Sequence, residues 1–252
     1  MENQSTSKRN QILMELVSSI LKKCKEEEIE VRVMGGLAIF LKYPGYEELS
    51  NKIREPFSDI DLITRQRDIE KIETLFGELG FEQNRNFKIL FGYQRRIFYT
   101  PMDITVEVYL DDLHLCQELK ISERLSLDYP TICATDLLLS KIQRVDLQDK
   151  DVFDILVLLA NCGFSRKSCD NIDLEYISEL CSKNWGWWKI FKINLKRLLD
   201  YNRELFGNQG EGNIDINLKQ IGHAIDSKKK SIGWKLRNII GEKIKWYSYV
   251  EE

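Results

Sequence analysis

Two carboxylates stand two residues apart in Ser58-Asp59-Ile60-Asp61-Leu62, and a third, Glu107, stands in Thr105-Val106-Glu107-Val108-Tyr109. Alternate side chains of a strand share a face, so Asp59 and Asp61 are expected to project together, with Ile60 and Leu62 opposite. Acidic pairs at this spacing are common, as Glu28/Glu30 and Asp173/Glu175 show. The apolar setting is what distinguishes Asp59 and Asp61, because carboxylates buried there need a cation or donors to offset their desolvation. If the strand carrying Glu107 lies alongside, three acidic groups converge, an arrangement suited to divalent ions and phosphoryl transfer. Gly35-Gly36 supplies the Gly-rich turn at which those groups would converge.

The surrounding sequence must position these groups. Helical spacing of Ile12, Leu13, Leu16, Val17, Ile20 and Leu21 predicts a helix over residues 8–28, followed by a strand over 32–34. A helix over 37–41 is ended by Pro44-Gly45, and a polar loop leads to a strand over 59–64. Another helix over 66–79 stops at Gly80, and strands are expected at 87–91, 96–100 and 104–110. Asp103, the fallback for the third carboxylate, is read rather as capping the turn after Pro101. Beyond Pro130 the pattern turns helical, with spans at 134–145, 150–159, 174–183, 185–206, 218–225 and 231–246. The expectation is an α+β fold, a mixed sheet flanked by helices in residues 1–128, followed by a helical domain in 129–252.

Gly35-Gly36-Leu37-Ala38-Ile39, Arg54, the Ser58–Leu62 segment and Val106-Glu107-Val108 together resemble the nucleotidyltransferase fold of the polymerase-beta superfamily. The nearest resemblance is to the branch that includes the abortive-infection AbiEii-type toxins. Thr131, Asp136 to Lys141, and Lys150-Asp151-Val152-Phe153-Asp154-Ile155 resemble that branch's helical motif, so the likeness spans about residues 31–160. It implies that Asp59, Asp61 and Glu107 bind two Mg2+ ions, and that the substrate is a nucleoside triphosphate attacked at its α-phosphate with release of pyrophosphate. Gly35, Gly36, Ser58, Arg54, Lys141, Asp151 and Asp154 would hold the nucleotide, with Lys141 neutralising its outer phosphates. The hydroxyl acceptor would be a small molecule, RNA or protein. Where the superfamily usually carries Asp as the third carboxylate, this chain has the longer Glu107. The alternative implied by that change is a catalytically silent protein that binds nucleotide or a partner in a toxin–antitoxin or defence system.

The remaining features set bounds. Lys and Arg number 37 against 40 Asp and Glu, so net charge is no general signal for a polyanion partner. Locally, Lys228 to Lys245 holds seven bases against Glu242 alone, with Trp234 and Trp246 nearby, which makes 228–246 a candidate RNA contact. The six cysteines form no C-x-x-C pair and are expected to be free buried thiols rather than zinc ligands. Only two histidines occur, and His114 is read as structural. No apolar run approaches the ~18 residues of a membrane span, and the start lacks the pattern of an export signal, so the expected location is the cytoplasm. G-x-S-x-G, G-K-[ST] and H-E-x-x-H are absent, leaving hydrolase-elbow, P-loop and zincin chemistry without support.

Overall fold

A computed structural model describes residues 2–46, 57–206 and 212–248. The chain divides into two compact units, Met1–Leu113 with Leu119–Ile132, and His114–Glu118 with Cys133–Glu252. The architecture is α+β, with a five-stranded mixed sheet flanked by helices and a helical C-terminal region.

In the first unit, helix α1 (Glu2–Glu26) buries Leu13, Val17, Ile20, Leu21 and Cys24, the single stripe that a 3.6-residue period produces. The sheet runs β1 (Val31–Met34), β2 (Asp59–Thr64), β5 (Thr105–Leu110), β4 (Arg95–Tyr99), β3 (Glu82–Gln83) in spatial order. Among the described strands of this sheet, β2 and β5 are the parallel pair. A parallel pair needs a long crossover, and it includes helix α3 (Ile69–Glu78), whose Phe76 ring meets Phe98 of β4 edge-on at 4.8 Å. Helix α2 (Gly35–Lys42) follows β1 without a connecting residue.

Residues 87–91, expected as a strand, belong instead to helix α4 (Arg85–Phe91). The Asn84 side chain accepts a hydrogen bond from the Phe87 amide, capping the helix start, and Gly92 follows its end. The strand pairing in this region is supplied by β3, whose Glu82 and Gln83 stand opposite Tyr99 and Phe98. The run Phe87–Phe91 then packs Phe87 against Phe91 one turn apart, 5.1 Å between rings. Asp103 lies in a left-handed turn (φ 56°) before β5 begins.

The second unit is built on α5 (Ala134–Ile142), α6 (Asp149–Asn161), α7 (Leu174–Lys183), α8 (Trp185–Phe206), α9 (Gly212–Ser227) and α10 (Ile232–Ile240). Helix α6 is buried from Asp151 through Leu159, so it occupies the middle of this unit. Asn194 of α8 donates from Nδ2 to the carbonyls of Ile142 and Arg144, at 2.7 and 2.8 Å, satisfying acceptors that the end of α5 exposes. The helix expected over 231–246 ends at Ile240. Gly241 takes φ +59°, and the Arg237 guanidinium donates to the Gly241 and Ile244 carbonyls, which stops the helix. All six cysteines are free, and five are buried. Among the described residues no helix is long and apolar enough to cross a membrane.

Asp112, just past β5, anchors the returning segment of the first unit. Its Oδ1 accepts from the Ile121 and Ser122 amides and the Ser122 hydroxyl at 2.9–3.1 Å, while Oδ2 meets Lys120 Nζ at 2.9 Å. Burial alone would raise its pKa, but the Lys120 and Ser122 bonds more than offset that and hold it below the usual carboxylate value. A depressed folded-state pKa stabilises above the unfolded value of about 3.9 and is lost as pH falls through the folded value. Asp112→Asn should therefore reduce stability at pH 7 by about 1–3 kcal/mol. Urea unfolding should show this gap narrowing as the solution is acidified below pH ~4.

Candidate active site

The parallel register of β2 and β5 sets Asp61 opposite Glu107 and Asp59 opposite Thr105. Neighbouring strands lie about 4.8 Å apart, so Asp61 and Glu107 begin side by side on one face. On the reverse face Ile60, Leu62, Val106 and Val108 are fully buried. Asp59 is exposed, Asp61 and Glu107 are half-buried. The alternation expected of Asp59-Ile60-Asp61-Leu62 is thus the observed burial pattern.

Met34, the last residue of β1, stands opposite Asp61, and the chain turns into α2 at Gly35. Gly35 has φ +71°, and a Cβ there would lie 2.1 Å from Asp61 Oδ2. The backbone angle favours glycine, and a Cβ would force the Asp61 carboxylate to move. Gly36 is buried in the same first turn. Ser58, exposed just ahead of β2, donates from Oγ to Asp59 Oδ1 at 3.4 Å. Arg54 lies outside the described residues.

Glu107 has two further neighbours that the sequence did not single out. Arg95 Nη1 donates to Glu107 Oε2 at 2.8 Å, and the Tyr109 hydroxyl donates to the same oxygen at 3.1 Å. Arg95 also donates to the Tyr109 hydroxyl at 3.1 Å and sits over the Phe87 ring at 4.9 Å. Burial alone would lower the Arg95 pKa, but Tyr109, Glu107 and Asp61 raise it. Burial, then the charges of Asp61 and Glu107, push the Tyr109 phenol far above its ordinary value. Asp61, Glu107, Tyr109 and Arg95 therefore share one electrostatic environment. Among the described residues, however, Asp59, Asp61 and Glu107 do not form a group whose ligand oxygens all lie within 4.8 Å. Tyr109 could have been found as the residue two beyond Glu107 on the same strand face. Arg95 could not, because its place depends on the pairing of β4 with β5.

In the second unit, Lys141 in the last turn of α5 meets Asp151 Oδ1 at 2.9 Å and Asp154 Oδ2 at 3.0 Å, both in the first turns of α6. Arg144 lies 3.7 Å from Asp151. The Asp151 and Asp154 side chains are 4% and 3% exposed, so the lysine is the counter-charge that makes their burial tolerable. Burial alone would lower the Lys141 pKa, but Asp154 and Asp151 raise it above the ordinary lysine value. Within 228–246, Trp234 meets Trp188 at 5.2 Å and Trp246 meets Trp185 at 5.5 Å, both edge-on, and Lys228 pairs with Glu175.

No family model matches the chain, and no curated protein matches it. Two solved structures are similar at low identity. One is the antibiotic-resistance factor ANT(2'')-Ia, 12% identical over 62% of this chain and 83% of its own, with a TM-score of 0.38. The other is an antigenic nucleotidyltransferase-like protein from Paracoccidioides brasiliensis, 14% identical over 86% of this chain and 94% of its own, with a TM-score of 0.43.

Removing the positive charge of Lys141 strands two buried carboxylates. Lys141→Met should cost about 3–5 kcal/mol, read as a lowered urea midpoint by far-UV circular dichroism. Adding Asp151→Asn and Asp154→Asn to that variant should recover part of the loss.

Proposed function

We propose that the chain is a metal-dependent nucleotidyltransferase that moves a nucleoside monophosphate from a nucleoside triphosphate to a hydroxyl acceptor and releases pyrophosphate. The observation that carries this reading is the placement of Asp61 beside Glu107, with Asp59 two residues along and the Gly35 backbone against Asp61. The donor set is all carboxylate oxygen, the chemistry that hard divalent cations such as Mg2+ take. Gly35 keeps the approach to Asp61 clear of a side chain. Asp59, Asp61 and Glu107 would hold two Mg2+ ions, which when bound supply Lewis-acid stabilisation of the attacking and leaving oxygens.

The chain's own residues do the rest. The first turn of α2, through Gly35 and Gly36, offers backbone amides to the triphosphate without a Cβ in the way. Ser58 braces Asp59, and Arg54 is assigned a phosphate contact. The assignment of Lys141 to the outer phosphates rests on the motif resemblance alone, since its ammonium is bonded to Asp151 and Asp154 within the second unit. The acceptor is a small molecule, RNA or protein, and the lysines of 228–246 are the surface that would meet RNA. Placement in the AbiEii-type branch, with a toxin–antitoxin or defence role, belongs to the same proposal and rests on the motifs alone.

A second reading, nucleotide or partner binding without turnover, is favoured by one observation: Glu107 is already bonded to Arg95 and Tyr109. Transfer of label from each α-labelled triphosphate to cellular RNA, protein or small molecules in the presence of Mg2+ separates the two. Asp59→Asn and Asp61→Asn should each reduce transfer by about 10²–10³-fold, the loss expected when a charge-stabilising group leaves a reaction centre. Nucleotide binding without transfer to any acceptor supports the silent reading instead.

A further inference from the structure

We propose that Arg95 is a positioning residue of this site, a built-in cation that holds Glu107 on the β4 side until a divalent ion draws the carboxylate toward Asp61. The inference rests on the nucleotidyltransferase reading and adds to it a residue and an order of events.

The register gives the geometry. The β4 residue directly opposite Glu107 is Ile97, whereas Arg95 stands opposite Tyr109. The Arg95–Glu107 bond is therefore diagonal, the kind of pair that long side chains make across a sheet. It draws the carboxylate toward β4, while Asp61 lies across β5 on β2. Both bonds to Glu107 fall on Oε2. The guanidinium is itself a placed group, lying over the Phe87 ring at 4.9 Å and the Tyr109 ring at 5.6 Å with its side chain 22% exposed. This arrangement accounts for the three carboxylates not gathering around one point. The extra methylene of Glu107 over aspartate gives it the reach to serve Arg95 in one state and a shared ion in the other.

Electrostatics fixes the consequence. Asp59, Asp61 and Glu107 would present three negative charges, and Arg95 cancels one, so the chain alone attracts a divalent ion less strongly. A triphosphate supplies the missing negative charge and also offers oxygens that a guanidinium binds well. Arg95 thus makes metal affinity low without nucleotide.

Mn2+ titrated into the full-length protein without nucleotide, with free ion read by electron paramagnetic resonance, tests this. Arg95→Gln should bind Mn2+ about three- to tenfold more tightly, the effect of removing one partly solvated charge near the site. Arg95→Lys should stay near the unsubstituted protein, and Tyr109→Phe, which removes one bond to Oε2 but no charge, should tighten binding to a smaller extent. The gain should vanish when Glu107→Gln is added. Unchanged or weaker Mn2+ binding by a folded Arg95→Gln variant, or a gain that persists with Glu107→Gln, overturns the proposal. If Arg95→Gln does not fold, unchanged affinity in Tyr109→Phe overturns it as well. Mn2+ binding that survives both Asp59→Asn and Asp61→Asn instead removes the underlying reading of the site, and the Arg95 assignment falls with it.

Discussion

The pairing of β2 with β5 is the constraint from which the first unit's chemistry follows. It brings like charges together on one face, which is unfavourable, and buries Ile60, Leu62, Val106 and Val108 on the other. Full burial of an aliphatic side chain contributes about 1.5–3 kcal/mol, so the apolar face offsets the repulsion on the acidic one. A shift of one residue in this register would turn the carboxylates of the shifted strand into the core and its aliphatic residues toward solvent. The site is thus held in place by the residues that take no part in it. Gly35 is the corresponding constraint on β1, because the strand must end where Asp61 already occupies the space of a side chain.

The acidic face and the ion group at Lys141 show two uses of the same side chains. Lys141 and Arg144 face Asp151 and Asp154 in balanced charge, across the end of one helix and the start of the next. The helix dipoles favour that placement, with cations at the end of α5 and acids at the start of α6. On the sheet, Asp59, Asp61 and Glu107 outnumber Arg95. The excess of carboxylate lies beside Gly35, whose φ of +71° favours glycine.

Much of this was legible because local patterns are strict where strands are half-buried. Asp59, Asp61 and their apolar partners could be placed from alternation alone, and α7 and α8 have the bounds expected of them. What failed had both local and non-local causes. Phe87–Phe91 has the composition of a strand, but β3 already takes the edge of β4, and the Asn84 cap settles the segment as a helix. The last helix was read too long because the arginine that ties off its end does so through carbonyls beyond it. Arg95 was invisible for the same reason as the Asn194 clasp on α5. Each acts on a residue far away in sequence, and no spacing rule reports such a partner.

The distribution of tryptophan has a practical consequence. All five, Trp185, Trp187, Trp188, Trp234 and Trp246, belong to the unit that contains residues 133–252, and the sheet unit holds none. Four of them, Trp185, Trp188, Trp234 and Trp246, form a connected set of edge-on and tilted contacts, and Trp187 is fully buried. Indole emission is therefore a private signal of the helical unit. Tyrosine is shared, with six in the sheet unit and Tyr176, Tyr201, Tyr247 and Tyr249 in the helical one, so indole fluorescence alone reports on a single unit without any added label.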